Sequence, residues 1–122
     1  MSEGYEGLSV YRKAYKMVVR TYEIVKSLPK EELFGMSSQM RRAAMSVPLN
    51  IAEGYSRKDD HPKEYRNYLQ IAKGSCYEMQ VLLKLGVSLG YFERTDAEQA
   101  WNSYDEIGKM LYGIIKTLGD KP

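Results

Sequence analysis

The residue types that most often carry catalysis are scarce in this chain. Among its 122 residues there is one histidine, His61, and one cysteine, Cys76. A cysteine nucleophile needs a neighbouring base or another group that lowers its pKa. His61 precedes Pro62 in a polar segment, whereas Cys76 falls on the apolar face of a predicted helix. The spacing therefore indicates an exposed histidine at a helix start and a cysteine that packs as a small hydrophobic residue.

Motifs for metal or phosphate chemistry are also missing from the pattern. Bundle di-iron sites use Glu-x-x-His pairs on two helices, which a single histidine cannot supply. The Gly74 and Ser75 pair lies inside a helical pattern rather than after a strand, so it does not predict a phosphate-binding loop. We therefore predict a protein that is not an enzyme and that has no metal, no cofactor and no small-molecule substrate.

Two carboxylates have the most specific setting, Glu53 and Glu78. Glu53 precedes Arg57 by four residues, the favoured order for a helical ion pair. It belongs to a polar row that borders the apolar arc of its helix, and a carboxylate beside a core needs hydrogen-bond partners. This setting favours a structural network over an acid–base role. The polar row is Gln39, Arg42, Ser46, Asn50, Glu53 and Arg57, and the predicted structural network is Gln39, Asn50, Glu53 and Glu78.

A basic row on the first predicted helix is the best indication of a binding function. Three cations recur every four residues, and a fourth flanks them. Such groups contact phosphates without reading sequence, and nearby tyrosines can stack on unpaired bases. An ordinary solvated helix face is the alternative, because the net charge is only +2. The row is Arg12, Lys13, Lys16 and Arg20, and Arg41 and Arg42 extend this predicted nucleic-acid-binding set only if the helices pack that way.

Four stretches with apolar residues at three- and four-residue spacing position these groups. We expect Ser37 to cap the second helix, and Thr95 with Glu98 to form a capping box before the fourth. Pro48 lies inside the second pattern, which continues past it, so a kink is expected there. Short connections predict a single domain, residues 1–122, with an all-α, antiparallel up-down-up-down four-helix bundle. The predicted helices cover about 8–28, 38–55, 62–89 and 96–118.

The third predicted helix has a second apolar flank beside its core face. A helix of an isolated bundle needs only one apolar stripe, so the second flank indicates burial against another subunit. A wide core face within the monomer is the alternative. Gly74 and Ser75 are small and would let another helix approach closely. The predicted subunit interface is Ile71, Leu82, Leu85 and Leu89.

Composition is typical of a globular protein, with 43% hydrophobic and 28% charged residues. A single cysteine excludes an internal disulfide and fits a reducing compartment. No apolar run reaches the length of about 18 residues that a membrane span needs. The N-terminal segment lacks the pattern of a secretory signal. The expected location is therefore cytoplasmic, with no membrane contact.

Four segments carry a resemblance to a known family: LSVYRKAYKMVVRTYEI, ELFGMSSQMRRAAMSVPLNIAEG, YRNYLQIAKGSCYE and VLLKLGVSLGYF. They resemble the four-helix-bundle proteins encoded by intervening sequences in bacterial 23S ribosomal RNA genes. The accessory protein of diversity-generating retroelements is a looser relative of the same pattern. Pro48 and Cys76 stand where the pattern commonly carries other residues.

The resemblance implies a bundle that assembles as a homopentameric ring, with no defined reaction. In the retroelement relatives it implies a basic surface that binds nucleic acid and a reverse transcriptase. We therefore expect a non-enzymatic, self-assembling protein that binds RNA or a nucleic-acid enzyme through its first helix. A purely structural scaffold for protein partners, without nucleic-acid binding, is the alternative.

Overall fold

The computed structural model describes residues 4–119, which form four α-helices packed side by side. Each helix contacts the next along the chain, and the fourth returns to the first, so that the first and third helices lie on a diagonal. No strand occurs among residues 4–119. The predicted all-α antiparallel bundle is confirmed. The helices are α1 (Ser9–Val25), α2 (Met36–Tyr55), α3 (Pro62–Ser88) and α4 (Arg94–Leu118), with short 3-10 turns at Tyr5–Gly7 and Lys30–Glu32.

The helix starts differ from the predicted ones in their capping. α2 begins at Met36, whose backbone N–H donates to Glu32 Oε1 at 3.1 Å, so a side chain outside the helix replaces the predicted Ser37 cap. α4 begins at Arg94, two residues before the predicted start, because the extended Glu93 directly precedes the helix and Thr95 already lies inside it. The predicted capping box at Thr95 is therefore wrong.

Pro48 lies inside α2, which continues through it as one helix. Its ring is buried, and the residues on both sides remain helical. A proline removes one backbone donor from the helical ladder. Here the loss is tolerated because the same helix face continues into the core at Ile51.

The core contains most of the residues that the apolar spacing predicts for all four helices. On α1 the predicted face is wrong only at two tyrosines, because its other members are buried or pack against the core: Leu8, Tyr11, Ala14, Val18, Val25 and Leu28. Tyr15 and Tyr22 are 58% and 38% exposed, whereas Met17 and Thr21 are buried. α1 has apolar residues on two adjacent faces, and the spacing alone does not show which of these residues face the core. Thr21 is buried in spite of its hydroxyl because that oxygen lies 2.7 Å from the hydroxyl of Tyr104. The predicted α2 arc is buried throughout: Met36, Met40, Ala43, Ala44, Val47 and Ile51.

Candidate binding surfaces

Two cations of the α1 basic row are paired with carboxylates of α4. Lys13 Nζ lies 3.0 Å from Glu106 Oε1, and Arg20 Nη2 lies 3.9 Å from Asp96 Oδ1. All four side chains are at least 41% exposed, and exposed pairs of this kind contribute about 0–1 kcal/mol. The pairs reduce the positive potential of the row without locking its cations, so a phosphate could replace either carboxylate.

The other two cations of the row differ from each other. Arg12 Nη1 donates to the carbonyl oxygens of Gly7 at 2.8 Å and Glu6 at 3.3 Å, so it holds the N-terminal 3-10 turn. Lys16 is exposed and has no hydrogen-bond or ion-pair partner within residues 4–119. Three of the four cations in the row therefore have a hydrogen-bond or ion-pair partner, and Lys16 has none within residues 4–119.

The second basic cluster lies on α2, nearer to one end of this row than to the other. α1 and α2 are antiparallel, and Tyr22 Oη donates to Met45 Sδ at 3.1 Å. Arg41 and Arg42 lie one turn beyond that contact, towards the C-terminal end of α1. The last cation of the row is two residues before Tyr22, whereas Arg12 lies ten residues, about 15 Å, in the other direction. The Arg12 end of the row is therefore remote from Arg41 and Arg42.

The polar row of α2 runs along its boundary with α3. Asn50 Nδ2 donates to the Ser46 carbonyl at 2.8 Å and to Ser46 Oγ at 2.9 Å. Ser75 Oγ donates to the same Ser46 hydroxyl at 2.8 Å and so connects the two helices. Ser75 is buried. The sequence analysis used only its small size and did not predict this hydrogen bond. These three side chains form a half-buried hydrogen-bonded link between α2 and α3.

The remaining members of the predicted network lie nearer to solvent. Gln39 Nε2 donates to Glu78 Oε2 at 3.4 Å, and Arg57 Nη1 donates to Glu53 Oε2 at 2.6 Å. The expectation that Glu53 and Glu78 are partly buried is wrong, because both are exposed. Arg57 also lies 4.9 Å above the ring of Tyr68, so it joins α2 to α3. The contacts are separate links along one helix boundary rather than one continuous network.

Large apolar side chains are exposed on two separate surfaces of the bundle. We call one set the α3 patch and the other the α1–α2 patch. The α1–α2 patch lies on two neighbouring helices, and α3 is diagonal to the first of them. Leu82, a predicted interface residue, is half-buried against the core beside the α3 patch. The α3 patch is Ile71, Tyr77, Val81, Leu85 and Leu89, each 46–60% exposed, and the α1–α2 patch is Tyr15, Val19, Tyr22, Met45 and Leu49, each 38–60% exposed.

The two residues best suited to chemistry are not brought together. Cys76 is 2% exposed in the core, and burial raises the pKa of its thiol to about 12, so the thiol remains protonated at neutral pH. His61 is exposed before α3, with Nδ1 3.4 Å from Glu64 Oε2. Within residues 4–119 no group of three or more His, Cys, Asp or Glu side chains is arranged to hold a metal ion. None of the helices described there is long and apolar enough to span a bilayer.

These features define an all-α four-helix-bundle protein. The chain belongs to the 23S rRNA-intervening sequence protein family, whose model matches residues 6–113. It is similar to a crystal structure of a protein of unknown function from the S23 ribosomal protein family of Bacteroides thetaiotaomicron VPI-5482. The two are 31% identical with a TM-score of 0.78, over 88% of this chain and 95% of that one. No curated protein matches the chain.

Proposed function

We propose that this chain is a non-enzymatic protein that assembles with copies of itself into a ring. The α3 patch carries this proposal, because five large apolar side chains, four on α3 and Leu89 directly after it, are each at least 46% exposed. Contiguous apolar surface of this kind is rare on soluble monomers and marks interaction sites. A pentamer is the size we propose, following the family resemblance.

Two different patches favour a head-to-tail contact over a twofold one. A twofold dimer uses the same surface on both subunits, so it would cover one patch and leave the other exposed. A head-to-tail contact covers the α3 patch of one copy with a different surface of the next, and repetition of that contact gives a ring. The α1–α2 patch supplies an apolar surface for the other half of this contact.

We predict that Leu85→Asp will dissociate the assembly into monomers of 14.1 kDa. Leu85 is 46% exposed in the monomer, so its replacement removes an intersubunit contact while the bundle core stays intact. Sedimentation measures the mass, and far-ultraviolet circular dichroism measures the helix content, which is expected to stay unchanged. Gln99→Asp is the matched control, because Gln99 is an exposed α4 residue outside both patches. A wild-type chain that is monomeric at micromolar concentration would contradict the proposal.

Binding of RNA, or of a protein that handles nucleic acid such as a reverse transcriptase, is a second candidate function. Lys16 supports it, because this exposed cation has no intramolecular partner within residues 4–119 and lies among three further cations. A ring would repeat the α1 row around its axis and so multiply weak phosphate contacts. Glu106 and Asp96 oppose binding, since they neutralise part of the row. Under the scaffold alternative the row only solvates the helix.

We predict that Glu106→Gln will strengthen RNA binding and that Lys16→Glu will weaken it. The first change releases Lys13 from its ion pair, and the second removes a phosphate contact. Filter binding of single-stranded RNA at several salt concentrations measures both effects, with the salt slope falling by roughly 0.7 for each lost contact. Lys63→Glu is the control, because Lys63 is exposed on the diagonal helix α3. The scaffold alternative expects no binding, or equal effects of Lys16→Glu and Lys63→Glu.

A further inference from the structure

The connection between α1 and α2 presents an aromatic side chain to solvent. Phe34 is 92% exposed, and its neighbour Leu33 is 49% exposed. The segment is held in place, because Tyr91 Oη donates to Glu32 Oε2 at 3.0 Å while Glu32 Oε1 accepts the N–H of Met36. A large apolar side chain that is exposed on a segment anchored two residues away has the character of an interface anchor.

A groove at the same end of the bundle combines an apolar lining with a charged rim, and so complements the exposed Phe34. It lies between the C-terminal half of α3 and the N-terminal half of α4, with a volume of about 610 Å³. Its rim includes Lys84 and Arg94, neither of which has an ion-pair or hydrogen-bond partner within residues 4–119, and also Glu98. Its apolar lining consists of Leu83, Val87, Ala97 and Trp101.

We propose that Phe34 of one copy of this chain inserts into the α3–α4 groove of a second copy. This inference rests on the proposed self-assembly and names the contact that produces it. The segment before Phe34 matches the groove in charge, because Lys30, Glu31 and Glu32 together carry a net charge of −1, and Lys84 and Arg94 outnumber Glu98 on the rim. Glu31 is the exposed carboxylate of this segment that has no ion-pair partner within residues 4–119. Leu33 and Phe34 then meet the apolar lining.

Phe34 does not fill the groove of its own chain. The α1–α2 connection reaches the α3–α4 connection through the hydrogen bond between Tyr91 and Glu32, but Phe34 itself is 92% exposed. The groove is therefore open to Phe34 of a second copy. The α1–α2 connection and the α3–α4 groove also lie at the same end of the bundle. Successive copies joined by this contact are therefore not displaced along the bundle axis, as closure of a ring requires.

Trp101, the only tryptophan of the chain, lines this groove and reports directly on its occupancy. In the wild-type protein we expect its fluorescence emission to shift to shorter wavelength as concentration rises and the assembly forms. Phe34→Ala should raise the dissociation constant of the assembly at least tenfold and remove the shift, while the thermal unfolding of the monomer stays unchanged. Tyr112→Ala is the matched control, because Tyr112 is a 53% exposed aromatic of α4 outside this groove.

Charge exchange tests the orientation of the same contact. Glu31→Lys should weaken assembly, and adding Lys84→Glu should restore it by re-forming the pair with opposite signs. Assembly of Phe34→Ala with wild-type affinity would overturn this inference and leave self-assembly standing. A Trp101 shift that persists in Phe34→Ala would also overturn it, because another surface would then fill the groove. A wild-type chain that stays monomeric at every concentration would overturn the inference and the proposed self-assembly together.

Discussion

Replacing Gly54 by alanine will destabilise the bundle, although alanine is the better helix former. A Cβ atom at this position would lie 2.7 Å from Tyr68 Cβ, 3.0 Å from Tyr65 Cδ1 and 3.2 Å from the Tyr65 carbonyl oxygen. A Cβ and a backbone oxygen cannot rotate away as the tip of a side chain can, so α3 would have to move. Overpacking of this kind costs about 1–3 kcal/mol of unfolding free energy.

Gly113→Ala is the matched control for this prediction. Gly113 is also inside a helix, but a Cβ there would meet no atom within 4 Å. The better helix propensity of alanine should then raise the unfolding free energy by about 1 kcal/mol. Urea unfolding at equal protein concentration measures both variants. Stabilisation by both substitutions would show that α2 and α3 do not approach closely at Gly54.

Gly54 also shows how far the sequence predicts the fold. A glycine near the end of a helix commonly adopts the left-handed conformation that ends it. Gly90, rather than Gly54, has positive φ among the described residues, at 80°. Gly54 is required because two helices meet there, and that contact depends on tertiary packing. Periodicity predicted the α2 arc correctly, because its residues recur at three- and four-residue spacing and are all buried. Met45 and Leu49 of the same helix lie outside the arc and are exposed.

The candidate surfaces were predicted less completely, because they depend on neighbouring helices. The spacing of Lys13 and Arg20 correctly places both on α1, but their partners Glu106 and Asp96 lie more than 70 residues later. Only the register of α1 against α4 determines those pairs. The sequence does not predict the exposure of Phe34, because it does not show whether an aromatic side chain in a loop packs against the core. Its place between Leu33 and Gly35 in a short connection was the available signal.

We expect the second large effect in Tyr104→Phe, which will lower the unfolding free energy because it removes the hydrogen bond between Thr21 and Tyr104. Both side chains are fully buried, their oxygens are 2.7 Å apart, and the Tyr104 hydroxyl also lies 3.4 Å from the Met17 carbonyl oxygen. Removal of the tyrosine hydroxyl leaves Thr21 without its partner in the core. We expect a loss of about 1–3 kcal/mol in unfolding free energy, the cost of an unsatisfied buried group.

A double-mutant cycle separates this cost from a simple change of volume. Thr21→Val keeps the shape of the threonine side chain and removes its hydroxyl, so alone it leaves the Tyr104 hydroxyl with only the long contact to Met17. When both hydroxyls are absent, no buried group lacks its partner, and such paired replacements are close to neutral. The double variant should therefore lose clearly less stability than the sum of the two single variants. Additive losses in urea unfolding would mean that the two hydroxyls do not interact, and that α1 packs against α4 in a different register.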